Sequence, residues 1–103
     1  MKILAHNNFL QEIENPSNKI LRKKIFKNLN NFETYFSSTS NFENNKIQKI
    51  TIAKTNLYVF KIDPEYRLIF SAEYDTEHVL TVVLLEIVKH EDYERKVFKL
   101  INE

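Results

Sequence analysis

Ten consecutive residues, Val79-Leu80-Thr81-Val82-Val83-Leu84-Leu85-Glu86-Ile87-Val88, are interrupted only by Thr81 and Glu86 and are otherwise apolar on both faces of an extended chain. A strand with one wet face alternates; this run does not, so it reads as the central strand of a sheet. The remaining elements must be arranged around it. With 103 residues and no internal duplication there is room for one modest core, and residues 1–103 read as a single domain.

Upstream, the hydrophobic period is helical. Leu21, Ile25, Leu29, Phe32 and Phe36 recur at spacings of four, four, three and four, which describes a long amphipathic helix. Ser17, after Pro16, is the expected N-cap. A shorter helix carrying Phe9, Leu10 and Ile13 stops before Pro16, and Met1 to Ala5 reads as a short strand. The run Ser37-Ser38-Thr39-Ser40-Asn41 ends the long helix, because short polar side chains compete for backbone hydrogen bonds. Ile47, Ile50 and Ile52 then lead into Leu57-Tyr58-Val59-Phe60-Lys61-Ile62, and Asp63-Pro64-Glu65 turns the chain into Tyr66-Arg67-Leu68-Ile69-Phe70. That pattern is a hairpin. A polar loop from Glu73 to His78 precedes the central strand, and Asp92 to Ile101 reads as a last helix with Tyr93, Val97 and Leu100 on one side.

Composition excludes several chemistries. The sequence has no glycine, so neither a phosphate-cradling P-loop nor a dinucleotide fingerprint can form, and no Gly-x-Ser-x-Gly elbow is present. It has no cysteine, which removes disulfides, thiolate nucleophiles and Cys-based zinc sites and agrees with a reducing compartment. His6, His78 and His90 do not pair at a metal-ligand spacing, so neither a metal nor a cofactor is expected. No window approaches eighteen uncharged apolar residues, and the N-terminus reaches Asn7 and Asn8 before any signal-like segment develops. The expectation is a soluble, cytoplasmic protein that does not contact membranes. Charge is uneven along the chain: residues 1–56 hold nine Lys and Arg against four Glu, and residues 57–103 hold six against ten Asp and Glu. The basic excess falls mostly on the polar side of the long helix, at Lys19, Arg22, Lys23 and Lys27, a surface suited to nucleic acid, to an acidic partner, or simply to solvent.

The order of elements, the Tyr66-Arg67-Leu68-Ile69-Phe70 strand, and Val88-Lys89-His90-Glu91-Asp92-Tyr93 after the last strand resemble the RelE/ParE superfamily of bacterial type II toxin-antitoxin toxins. The resemblance covers nearly the whole chain. It implies an α+β fold, with an antiparallel sheet of about four strands packed against an N-terminal two-helix hairpin and followed by a short C-terminal helix. It also implies neutralisation by a cognate antitoxin. Ribonuclease members cut messenger RNA on the ribosome without metal, driving the ribose 2′-hydroxyl onto the adjacent phosphate and so inhibiting translation. Such an endoribonuclease, or mRNA interferase, needs a base, an acid and cations for the developing charge.

By this resemblance Lys61 and Arg67 hold the scissile phosphate, His90 transfers protons, and Tyr93 stacks on a base or contacts the reacting sugar. Lys54 and Lys89 are RNA-binding candidates. Whether Lys61 and Arg67 share a sheet face depends on the register across Asp63-Pro64-Glu65, which the sequence leaves open. Only one of the neighbours Lys89 and His90 is expected on the phosphate side. The structural alternative makes Lys61 a solvated strand residue and pairs Arg67 with an acid such as Glu86, since a carboxylate in an apolar run requires a partner. Val59, where ribosome-dependent members are often basic, and the acids Glu91, Asp92 and Glu94 favour the other functional reading: a non-nucleolytic member that inhibits DNA gyrase or has become inactive.

Overall fold

The computed structural model describes residues 1–37, 47–50 and 56–101. In chain order these form strand β1 (Lys2–Ala5), helices α1 (Asn7–Glu14) and α2 (Lys19–Ser37), strands β2 (Ile47–Lys49), β3 (Leu57–Lys61), β4 (Tyr66–Tyr74) and β5 (Leu80–Lys89), and helix α3 (Tyr93–Ile101). Short 3-10 turns, Pro16–Asn18 and His90–Asp92, precede α2 and α3.

The sheet order is β1-β5-β4-β3-β2. β2 to β5 form antiparallel pairs, whereas β1 lies parallel to β5, with Lys2 beside Thr81 and Ala5 beside Leu84. The expected antiparallel sheet of about four strands is therefore a mixed sheet of five. Its additional member is the short β2, which the isoleucine pattern does not separate from β3. The N-terminal helices also depart from a simple hairpin. They differ in length, come after β1 in the chain, and are separated by a 3-10 turn. The cap of that turn is Asn15 rather than Ser17: its Oδ1 accepts from the Ser17 amide at 3.1 Å and from the Ser17 hydroxyl at 2.9 Å. Proline at the first position of the turn leaves Ser17 inside it, so the capping role moves back to Asn15.

One sheet face is covered by α1 and α2 and the other by α3. The larger core joins Phe9 and Ile13 of α1 and Leu21, Ile25 and Phe32 of α2 to Phe60, Leu68, Phe70, Val82 and Leu84 of the sheet. Leu10, expected on the buried side of α1, is exposed at its margin. Phe32 stands between Phe60 and Phe70, with ring centroids 5.2 and 4.6 Å away. The smaller core, beneath α3, joins Ile50, Val59, Ile69, Val88 and Val97, with Tyr93 packed against it. This two-sided cover explains why β5 lacks alternation.

β5 carries a bulge. Ile69 faces Glu86 but Phe70 faces Leu84, leaving Leu85 without a partner between them. With strict alternation Glu86 would join Leu80, Val82 and Leu84 in the α1/α2 core. The extra residue sends Ile87 there instead and turns Glu86 toward α3, where Lys96 Nζ donates to its Oε1 at 3.3 Å. The alternative in which Glu86 pairs with Arg67 is not what forms: Lys96 takes that place, because α3 brings that lysine over the bulge.

Candidate active site

The hairpin turn between β3 and β4 positions the two cations. Asp63 Oδ1 accepts from the amides of Glu65 and Tyr66, each at 2.8 Å, while Oδ2 accepts from Lys24 Nζ of α2 at 3.1 Å. Burial alone would raise the Asp63 carboxyl. The Lys24 hydrogen bond, the amides of Tyr66 and Glu65, and the Lys24 charge outweigh it and hold the group below its ordinary 3.8. This turn places Lys61 directly opposite Arg67. Opposed residues of an antiparallel pair share a face, so the register unites the two cations on the α3 side of the sheet.

Like charges placed this way repel, and Arg67 answers with its own turn. Its Nη1 donates to the carbonyls of Asp63 and Tyr66 at 2.6 and 3.0 Å. The carbonyl dipoles offset the positive charge and fix the plane of the half-buried guanidinium. Nε and Nη2 have no protein hydrogen-bond partner among the described residues, which leaves them for a bound anion. Lys61 is exposed beside it.

Tyr93, the first residue of α3, reaches the same region. Burial raises its phenol above the ordinary 10.0 and the Glu94 charge adds to this, while the Arg67 charge pulls it down. The phenol is thus protonated at neutral pH, in the field of the Arg67 guanidinium. Val88 lies opposite Arg67 on β5, and His90 comes two positions later, about 7 Å further along a strand. Its amide donates to the Glu65 carbonyl at 2.7 Å, continuing the ladder to the end of the hairpin. The exposed imidazole lines an open groove of about 330 Å³ with Pro64, Glu65, Lys89 and Glu91. No hydrogen bond joins it to Lys61, Arg67 or Tyr93 among the described residues.

Lys89 pairs with Tyr66, whose ring packs on the α1/α2 side, so Lys89 and the Arg67 pair occupy opposite faces. Lys54 lies outside the described residues. Asp63 and Lys24 were not foreseen as parts of this region. Asp63 before Pro64 is a local turn signal, but its bond to a lysine thirty-nine positions earlier has no sequence signature. No group of three or more His, Asp or Glu that could hold a metal occurs among the described residues.

Comparison with known proteins bears on the fold. No protein-family model matches the sequence, and no curated protein does. Among solved structures, a YoeB/ParE toxin from Agrobacterium tumefaciens superposes with a TM-score of 0.66 at 12% identity, covering 87% of this chain and 99% of that one. The chain has the RelE/ParE toxin fold. Within that fold, the end of the β3–β4 hairpin, the end of β5 and the start of α3 converge, bringing Lys61, Arg67, His90 and Tyr93 to one end of the sheet. The described helices of this RelE/ParE-like chain include none long and apolar enough to cross a membrane.

Proposed function

We propose that this chain is the toxin of a type II toxin-antitoxin pair and acts in the cytoplasm as a metal-independent endoribonuclease on ribosome-bound messenger RNA. The observation that carries the reading is the Lys61–Arg67 pair, with Nε and Nη2 of a fixed guanidinium directed away from the carbonyls that hold Nη1. Two cations in register form a clamp for one phosphate. In the reaction, the ribose 2′-oxygen bonds to the adjacent phosphorus and the bond to the 5′-oxygen breaks. The 2′-hydroxyl proton passes to a base and the departing 5′-oxygen takes one from an acid, giving a cyclic phosphate and a 5′-hydroxyl. His90 is the proton-transfer group, Lys61 and Arg67 bear the phosphorane charge, and Tyr93 contacts the sugar or base. Lys54 extends the RNA contact, Lys89 on the opposite sheet face stands outside it, and a cognate antitoxin neutralises the protein.

A second reading, a non-nucleolytic protein that binds DNA gyrase, draws on a different observation. Val59 is buried beneath α3, and Glu65 and Glu91 flank His90, so these positions add no cations where phosphate neutralisation governs affinity. Primer extension on messenger RNA after induced expression separates the two. The nuclease reading expects cuts with the wild type that disappear with His90→Ala and Arg67→Ala. Intact messages together with trapped gyrase would replace it by the second.

A further inference from the structure

The Arg67 guanidinium is aimed by two carbonyls that are themselves held in different ways. The Tyr66 carbonyl, 3.0 Å from Nη1, also accepts from the Ile62 amide at 3.1 Å, so the strand ladder fixes it. The Asp63 carbonyl, nearer at 2.6 Å, belongs to the turn. Its direction follows from the turn torsions, of which Pro64 restricts only its own φ, to about −65°. The Asp63 carboxylate supplies the remaining restraint, because Oδ1 accepts from the amides of Glu65 and Tyr66 at 2.8 Å each.

Both of those bonds are local to the hairpin. Oδ2 is held from outside it, by Lys24 Nζ at 3.1 Å, and has no other hydrogen-bond partner among the described residues. Lys24 has a firm base. It stands between Leu21 and Ile25, which are buried in the α1/α2 core, and its carbonyl accepts from Asn28 Nδ2 at 2.7 Å one turn further on. Of the cations at positions 19–27, Lys19, Arg22, Lys23 and Lys27 are exposed and form no ion pair among the described residues. Lys24 alone is engaged, and its partner is the residue whose carbonyl receives Arg67. With side-chain exposures of 44% and 18%, the pair is too open to add much to global stability, so its consequence lies in geometry.

We propose that Lys24 is a positioning residue for the anion site: by holding Oδ2 of Asp63 it fixes the turn whose carbonyl aims the Arg67 guanidinium. The inference rests on the reading of Lys61 and Arg67 as a phosphate clamp and adds to it a residue of α2, the helix on the opposite sheet face. Lys24 touches neither phosphate nor the reacting atoms. It acts through Asp63, and a clamp whose donors drift by about 1 Å loses much of its grip on a phosphate.

The test reads Arg67 directly. In isotope-labelled protein, NMR follows the Arg67 Nε–H resonance and the rate of rotation about the Nε–Cζ bond, which the bonds made by Nη1 hinder; inorganic phosphate is then titrated in. Lys24→Met keeps the apolar stem and Lys24→Ala removes it, while both delete the donor. Lys24→Arg restores a cationic donor, and Lys23→Met removes an equal charge from the neighbouring position. Rotation should be several-fold faster in the methionine and alanine variants. Their phosphate affinity should be roughly tenfold weaker, the worth of one misaligned charge-assisted hydrogen bond. Lys24→Arg and Lys23→Met should resemble wild type, and all urea midpoints should lie close together. Unchanged rotation and affinity in both Lys24 truncations, with wild type binding phosphate at Arg67, overturns the proposal alone. Equal weakening by Lys23→Met overturns it too, since a general charge effect would then suffice. Absence of any phosphate shift at Arg67 in wild type overturns the clamp reading and the proposal together.

Discussion

At the residue scale, Asp63 links the candidate site to the body of the protein. Its carboxylate closes the hairpin turn, its carbonyl receives Arg67, and Lys24 ties both to α2. Because its folded pKa is depressed, this arrangement adds stability that is fully present above the unfolded value near 3.8 and is lost as pH falls through the lowered folded value. Wild type should thus be more stable than Asp63→Asn at neutral pH, and the gap should close below about pH 3.8 in acid titrations of the urea midpoint. A gap that persists unchanged into acid would mean that the carboxylate charge contributes nothing. The lysine, arginine, histidine and tyrosine of the site were legible as residue types suited to phosphate chemistry. The union of Lys61 and Arg67 on one face was not, since it rests on the turn that Asp63 closes. His78 illustrates a second local limit. A type I turn from Asp75 to His78 ends with His78 at φ 61°, where a chain without glycine must place another residue. His78→Gly should raise stability by roughly 0.5–1 kcal/mol, the left-handed penalty of about 1–2 kcal/mol less the entropic cost of glycine. A higher urea midpoint at unchanged slope is the expected result.

At the element scale, α2 and the β3–β4 hairpin were legible because their periods of 3.6 and 2 bury consistent sets of side chains. The bulge in β5 was not, because a run apolar on both faces gives no alternation in which a missing beat can be heard. α3 was readable as a helix, yet its tertiary weight rests on Tyr93 and the fully buried Val97. Val97→Ala should weaken its docking by about 2 kcal/mol, the transfer of two methyl-sized groups plus a cavity. A loss of this kind opens one element before it opens the whole. Amides of Val97 to Lys99 should exchange roughly thirtyfold faster while those of Leu68 to Phe70 change much less. Equal acceleration in both segments would make α3 part of the main cooperative unit instead.

At the scale of the whole molecule, the charge asymmetry along the sequence does not become two oppositely charged lobes. The chain folds its basic N-terminal half onto its acidic remainder, and Lys24 finds Asp63 in the process. The same long-range closure sets the sheet. β2 to β5 succeed one another as antiparallel neighbours, a local pattern, whereas β1 returns to lie parallel to β5 with most of the described fold between them in sequence. Nothing near Met1 encodes that placement, since all four residues of β1 are exposed and its sheet bonds are backbone bonds. The bond from the His6 amide to Leu84 sets its phase: Leu4 turns its N–H toward β5, and Ile3 turns its N–H outward. Proline removes a donor, so its effect should depend on which of these neighbours it replaces. Leu4→Pro should cost about 2 kcal/mol more than Ile3→Pro in urea unfolding, from a broken ladder bond and the groups it strands. It should also promote concentration-dependent association in sedimentation, because detaching β1 lengthens the open edge of β5. Equal losses in the two variants would show that β1 is held by side-chain packing and not by the ladder.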